Sequence, residues 1–226
     1  MGAGAAGLMC AIEAGKRGRK TLVIDKAKKA GPKILISGGG RCNFTNLYVE
    51  PEAYLSENPH FVKSALSRYT QWDFIQLLDG HGISWHEKTL GQLFCDQKAG
   101  AIVDMLLEEC RTKGVQLHMQ EDIERIEQEE SHYAISTSLG NYLAEHLVIA
   151  TGGPSIPRMG STDFGYRIAS QFGLRVIPPR PALVPMTFSF LVEGVPGWLR
   201  MIGFGIAITA VWCLSSPGDQ SKIEPG

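Results

Sequence analysis

Gly2, Gly4 and Gly7 stand in the spacing G-x-G-x-x-G, and the apolar run Leu22, Val23, Ile24 ends in a carboxylate, Asp25. Those residue types in that order suit a dinucleotide. Gly2 permits a tight turn, Gly4 lets the backbone approach a pyrophosphate, and Gly7 lets a helix pack closely on a sheet. The helix N-terminus offers unpaired N–H groups and a positive dipole end to phosphates. Asp25 is then placed to accept hydrogen bonds from a ribose diol. A second group of chemistry-bearing residues follows at positions 37–46, where Gly38, Gly39 and Gly40 are flanked by Ser37, Arg41, Cys42, Asn43 and Asn46. Three consecutive glycines let the backbone line a flat or anionic ligand. Arg41 adds a planar, permanent cation, and Asn43 an amide that both donates and accepts.

The elements that must position these groups follow from the pattern around them. Ala11 is a small residue that can face a sheet, Gly18 closes the first helix, and residues 22–25 form a strand. The fingerprint requires a further strand before Gly2, yet the sequence starts at Met1. The expectation is a piece of a longer protein or a truncated product. Residues 26–33 are polar and rich in breakers, so they read as a loop at the carboxyl end of that strand, the edge where open α/β sheets take ligands.

Residues 37–46 resemble the S-G-G-G-R-C-N-x-T-N signature of a bacterial family of FAD-dependent, NAD(P)-linked flavoprotein oxidoreductases. Aminoacetone-oxidase-like and bile-acid-reductase-like proteins are among its members. The resemblance implies that FAD touches Gly2, Gly4, Ala5, Ala6, Asp25, Lys26, Lys33 and the loop Ser37, Gly38, Gly39, Gly40, Arg41, Cys42 and Asn43. Two departures stand out. The family's G-R-x-F-P reads Gly91, Gln92, Leu93, Phe94, Cys95 here, which removes an arginine. Its G-S-T-G-D-G-Y reads Gly160, Ser161, Thr162, Asp163, Phe164, Gly165, Tyr166, which replaces the central Gly-Asp by Asp-Phe.

Farther along, apolar residues at helical spacing predict a helix over residues 59–82, with Asn58 as its N-cap and its aromatic side chains in the core. Residues 83–87 and 93–94 read as a hairpin. His86 has no partner near it in sequence and reads as structural. Asp96 is expected to cap a helix whose buried face is Ala99, Ile102, Val103, Leu106, Leu107 and Cys110. Residues 115–119 form a half-buried strand, the third parallel strand, beside the second. The chain after it passes the adenine in dinucleotide-binding folds, which places backbone contact at Asp122 and Ile123. Short alternating strands at 123–126, 133–137 and 142–143 suggest a small antiparallel layer, and the acidic run 121–130 reads as solvated surface. Residues 147–150, Leu, Val, Ile and Ala, read as a strand buried on both faces, ending in the small residues Ala150, Thr151, Gly152 and Gly153 that admit a cofactor. Flavoproteins with two dinucleotide sites carry a similar A-T-G, which favours FAD. A short helix is expected from Gly165 to Phe172.

Four prolines among residues 178–185 mark a stiff crossover. It matches the family's P-A-L-V-P link to a substrate-side domain, and residues 203–211 resemble an early strand of that domain. The expected organisation is an FAD-binding domain over 1–178 without its first strand, then a crossover and incomplete second domain over 179–226. The resemblance covers nearly all of this chain and about half of a family member. The fold class is α/β: an FAD/NAD(P)-binding Rossmann-like parallel sheet with a small antiparallel layer, followed by the start of a β-rich domain.

Composition sets the remaining bounds. The 226 residues are 44% hydrophobic and 20% charged, with a net charge of −1. That profile is globular and gives no support to a nucleic-acid or anionic-membrane partner. The apolar stretch from Trp198 to Leu214 is shorter, after Arg200, than the about 20 residues a membrane span needs. Five scattered cysteines without a C-x-x-C pair indicate no metal site and a reducing, cytoplasmic setting. The N-terminus is already motif, so no signal peptide is expected. Cys42 beside Arg41 invites a thiolate role, but a structural one is favoured. The expected function is a flavoprotein oxidoreductase reduced by NAD(P)H and passing electrons to a small organic substrate or oxygen. The alternative is a nucleotide-binding fragment with no turnover of its own. Catalytic residues, substrate and oligomeric state are not legible.

Overall fold

The structure, a computed structural model, describes residues 1–54, 56–156 and 160–179. Met1–Val176 forms one compact unit. Its organising layer is a parallel pair, β1 (Leu22–Asp25) and β5 (Gln116–Met119), in the register Leu22↔Gln116 through Asp25↔Met119. Helix α1 (Ala5–Lys16) buries Gly7, Leu8, Ala11 and Ile12. Helix α5 (Gly100–Thr112) buries Ile102, Val103, Met105, Leu106 and Cys110 in the same core. The expected face of α5 is borne out, but its N-cap is Ala99 and not Asp96. Asp96 instead receives the His86 ring, Nδ1 to Oδ1 at 2.6 Å.

Met1 and Gly2 lie between β1 and residues 148–150. The Gly2 amide donates to Ile24 at 2.8 Å, the Met1 amino group to Val148 at 2.7 Å, and the Ala150 amide to Met1 at 2.8 Å. Residues 147–150 are not the doubly buried strand the apolar run predicts. They form no regular strand, and Val148 is 49% exposed. A strand is defined by its ladder as much as by its composition, and among the described residues the rungs this segment makes go to Met1.

Three further strands, β2 (Asn43–Asn46), β3 (Trp85–Glu87) and β4 (Gln92–Cys95), form an antiparallel sheet in the order β2-β4-β3. The β3–β4 hairpin is as expected. The long helix over 59–82 is not. Two helices, α3 (Lys63–Arg68) and α4 (Gln71–Gly80), stand there, separated by the extended Tyr69. The cause is local: Thr70 and Asp73 form a reciprocal capping box that starts a new helix. Its aromatics divide too. Phe74 packs on Phe44 with centroids 5.8 Å apart, whereas Phe61 and Trp72 are exposed. A short helix, α2 (Pro32–Ile36), begins at the end of the polar loop, one residue before its expected limit.

The antiparallel layer comprises β6 (Ile123–Glu129), β7 (His132–Thr137) and β8 (Asn141–Ala144), paired in sequence order. Ile126 and Ile135 from it join Ile168 of α6 (Phe164–Gln171) in a second, smaller apolar cluster. No helix among the described residues is long and apolar enough to cross a membrane. The expectations at 203–211 and 198–214, and most of the proline-rich crossover, fall outside the described residues.

Candidate functional site

The three fingerprint glycines have different surroundings. Gly2 adopts a left-handed φ of +101°, and a Cβ there would lie 2.5 Å from the Ala150 carbonyl oxygen. A Cβ on Gly7 would lie 1.8 Å from the Gly2 carbonyl oxygen. These two positions admit no side chain because backbone occupies the space. Gly4 differs, with nothing within 4 Å of its would-be Cβ. It is also the N-cap of α1 and supplies no side-chain acceptor, while Ala5 and Ala6 are exposed. A twelve-residue helix therefore presents uncapped first-turn amides to an open space, the arrangement that suits a phosphate.

Asp25 stands at the tip of β1. Its Oδ2 accepts the Ala3 amide at 2.6 Å and its Oδ1 the Ala27 amide at 2.8 Å. One acceptor position on each oxygen is thus used by the fold, and the second remains to take a diol. Lys26, next to it, is exposed.

Residues 37–40 form a tight 3-10 turn in which Gly38, Gly39 and Gly40 have φ of +57°, +67° and +87°. Here the left-handed backbone does require glycine. A Cβ on Gly38 would meet the Asn43 amide nitrogen at 2.6 Å and the Phe94 ring at 2.8 Å, whereas Gly39 faces open space. The turn is held from behind: the Ala99 amide donates to Gly40 at 2.8 Å and the Cys95 amide to Arg41 at 3.1 Å. Ser37 Oγ donates to Ile34 at 2.8 Å. Arg41 and Asn43 are exposed. Cys42 is buried, and burial pushes its thiol up from the ordinary range, outweighing the opposing effect of Ser37. A buried thiol held protonated is the structural cysteine favoured from sequence.

Lys33 joins α2 to the third glycine-containing segment. Its Nζ donates to Ser155 Oγ at 3.0 Å and to the Gly153 carbonyl at 3.5 Å. Gly152 has a φ of +74°. Thr151 Oγ1 is buried and has no hydrogen-bond partner, an orphaned polar atom among the small residues 150–153. The structure thus brings Gly2 against Ala150 and Lys33 against Gly153, although more than a hundred residues separate each pair. Asp122 and Ile123 are placed differently from the rest. The Asp122 amide donates to Ser138 Oγ at 3.1 Å and its carbonyl accepts the Ser138 amide at 2.9 Å, while Ile123 pairs with Thr137 in the β6–β7 ladder.

One residue in this neighbourhood was misread from sequence. Glu121, expected on a solvated surface, is fully buried. Its carboxylate accepts from Thr137 Oγ1 and lies 3.1 Å from His118 Nδ1, which in turn lies 3.1 Å from the Tyr142 hydroxyl. Burial works to raise its pKa, but the polar groups of Thr137, Tyr142 and His118 around it outweigh that and hold the group below the usual range. Its neighbours in sequence are exposed acids, and nothing local distinguishes it from them.

The sequence model of the HI0933-like protein Rossmann domain matches residues 1–212. The chain is similar to the ribosomal RNA dihydrouridine synthase of Escherichia coli K12, at 57% identity over 187 residues, covering 83% of this chain and 47% of that protein. It is similar to the Haemophilus influenzae protein of the same name, at 52% over 192 residues, covering 83% and 48%. A more distant likeness, 25% over 189 residues and covering 82% and 46%, is to the 3-dehydro-bile acid delta(4,6)-reductase of Clostridium scindens. The chain spans about half the length of these curated relatives.

Proposed function

The chain belongs to the HI0933-like Rossmann domain family, and we propose that it is the FAD-binding portion of a flavin-dependent oxidoreductase reduced by NAD(P)H. The observation that carries the reading is the fit of the glycine turns to a dinucleotide: open space and uncapped amides at Gly4, an open left-handed turn at Gly39, and small residues at 150–153. In this reading Gly2, Gly4, Ala5, Ala6 and Gly7 cradle the pyrophosphate at the α1 N-terminus. Asp25 takes the ribose through its second acceptor positions, with Lys26, Asp122 and Ile123 beside the adenosine end. Lys33, residues 37–43 and residues 150–153 line the flavin end. FAD, when bound, supplies the hydride-carrying ring.

For the electron acceptor we propose a carbon–carbon double bond conjugated to a carbonyl. Making dihydrouridine from uridine saturates the uracil C5=C6 bond, which is conjugated to the C4 carbonyl. A 3-dehydro delta(4,6) steroid is a dienone, whose carbon–carbon double bonds are likewise conjugated to a carbonyl. In uridine two electrons and two protons are taken up, as a hydride equivalent at C6, the β carbon, and a proton at C5, the α carbon. The 52–57% identities favour the uracil of ribosomal RNA as the substrate. A net charge of −1 gives this stretch no overall basic excess.

The test is anaerobic. Purified holoprotein is bleached with NADPH or NADH and then mixed with ribosomal RNA from cells lacking the enzyme. Reoxidation of the flavin with appearance of dihydrouridine supports the proposal. Bleaching followed by reoxidation only with oxygen or a small enone would move the acceptor away from RNA.

A further inference from the structure

We infer that Glu121 is a positioning residue for the adenosine end of the dinucleotide, acting by tying the antiparallel layer to the tip of β1. The inference rests on the FAD reading above. β1 and β5 end together, with Asp25 opposite Met119, at the carboxyl edge where open α/β sheets take ligands. Just past that end, Gln120 turns the chain through a left-handed φ of +59°, a conformation rare outside glycine. The turn sends two backbone bonds to β1 and the loop behind it: the Gln120 amide donates to Ala27 at 3.1 Å and the Glu121 amide to Asp25 at 3.1 Å.

The Glu121 side chain then points away from the edge, into the other layer. It meets Thr137 of β7 and His118 of β5, and through His118 it is linked to Tyr142 of β8. His118 Nδ1 also lies 3.1 Å from the Tyr142 hydroxyl, and the two rings meet edge to face with centroids 5.9 Å apart. Three strands therefore meet in one network around this carboxylate. The same residue's amide donates to the Asp25 carbonyl, and the Asp25 carboxylate accepts the amides of Ala3 and Ala27, so covalent and hydrogen bonds together link the layer to the fingerprint turn. Ala3 lies inside the fingerprint turn, and its carbonyl accepts the Gly31 amide at 2.8 Å.

A buried carboxylate is a costly way to hold two layers together, since apolar contacts would do it without desolvating a charge. The apolar contacts of Ile126 and Ile135 run to Ile168 of α6, in a cluster separate from the core around β1 and β5. What the carboxylate adds is direction. Its hydrogen bonds fix the 120–121 turn, and so the height and angle at which Asp25 meets a ribose. Fully buried, Glu121 does not itself reach that edge; it acts through Asp25.

The experiment compares the wild-type holoprotein with Glu121→Gln, which keeps the shape and removes the charge, and with Tyr142→Phe. FAD and ADP affinities are titrated on the apoproteins. Amide exchange is followed in peptides containing Ala3 and residues 119–123. Glu121→Gln is expected to weaken FAD and ADP in parallel, by about tenfold, with faster exchange at both peptides and an unchanged far-ultraviolet spectrum. Tyr142→Phe is expected to do the same to a smaller degree. A folded Glu121→Gln with wild-type affinity for both ligands overturns the inference. If Glu121→Gln does not fold, Tyr142→Phe decides: lowered melting temperature with unchanged affinity makes Glu121 a staple only. A wild-type protein that takes up neither FAD nor ADP overturns the FAD reading itself, and this inference with it.

Discussion

The Ala3 amide donates to Asp25 Oδ2 at 2.6 Å across 22 residues of sequence, so the fingerprint turn and the carboxylate that follows it are one unit. Asp25 is therefore both a candidate ribose acceptor and a brace for the turn that would hold the pyrophosphate. Replacing it removes partners from Ala3 and Ala27 together.

Asp25→Ala is expected to cost about 1–3 kcal/mol of stability, the range for leaving partly buried backbone donors unpaired. It should also weaken FAD. Asp25→Asn, which can accept at one oxygen only, should fall between. Urea melts of the apoproteins separate the bracing loss from the ligand loss.

Gly4 and Gly7 should respond oppositely to the same methyl group. At Gly7 the Cβ would overlap the Gly2 carbonyl oxygen, so Gly7→Ala is expected to destabilise by about 3 kcal/mol or more. At Gly4, where φ is −87° and the space is open, Gly4→Ala should fold with stability within about 1 kcal/mol of wild type. Its effect should fall on flavin affinity. Thermal melts beside a flavin titration read both.

Glu121 gives the protein an acid-side dependence. Its folded pKa is held below the usual range, so its contribution is present above the unfolded value of about 4.3 and is lost as pH falls through the folded value. Glu121→Gln carries no such titration. The stability gap between wild type and Glu121→Gln should be widest at neutral pH and narrow as pH drops below about 4. Urea melts at a series of pH values test this, and a constant gap would contradict it.

Thiol reactivity should follow burial. Cys42, Cys95 and Cys110 are buried and free, and burial pushes all three thiols up, Cys110 to about 11. Cys10 is exposed. Brief alkylation of the folded protein near neutral pH should modify Cys10 well before those three, read by peptide mass mapping.

The legible parts of this fold are those that a few neighbouring residues decide. Glycine spacing alone marks the α1 turn, and Gly38, Gly39 and Gly40 take the left-handed backbone that their composition demands. The hairpin and the antiparallel layer follow from alternation. The misreadings come from partners that periodicity does not report. Residues 147–150 have the apolar run of a buried strand, but among the described residues their ladder runs to Met1. The apolar spacing over 59–82 continues through a boundary that Thr70 and Asp73 impose locally. Glu121 looks like its acidic neighbours until Thr137 and Tyr142, 16 and 21 residues away, close over it. The pairing of Lys33 with Ser155 is equally non-local, and no spacing rule reaches across 122 residues.

The central claim is that these glycine turns bind FAD, and flavin content tests it most directly. The purified protein should take up FAD to about one per chain. Heat should release it as intact FAD, and Gly4→Val, which fills the open space at the α1 N-terminus, should lower that occupancy while the protein stays folded. A colourless, folded wild-type protein that gains no bound-flavin spectrum after incubation with FAD would contradict the account.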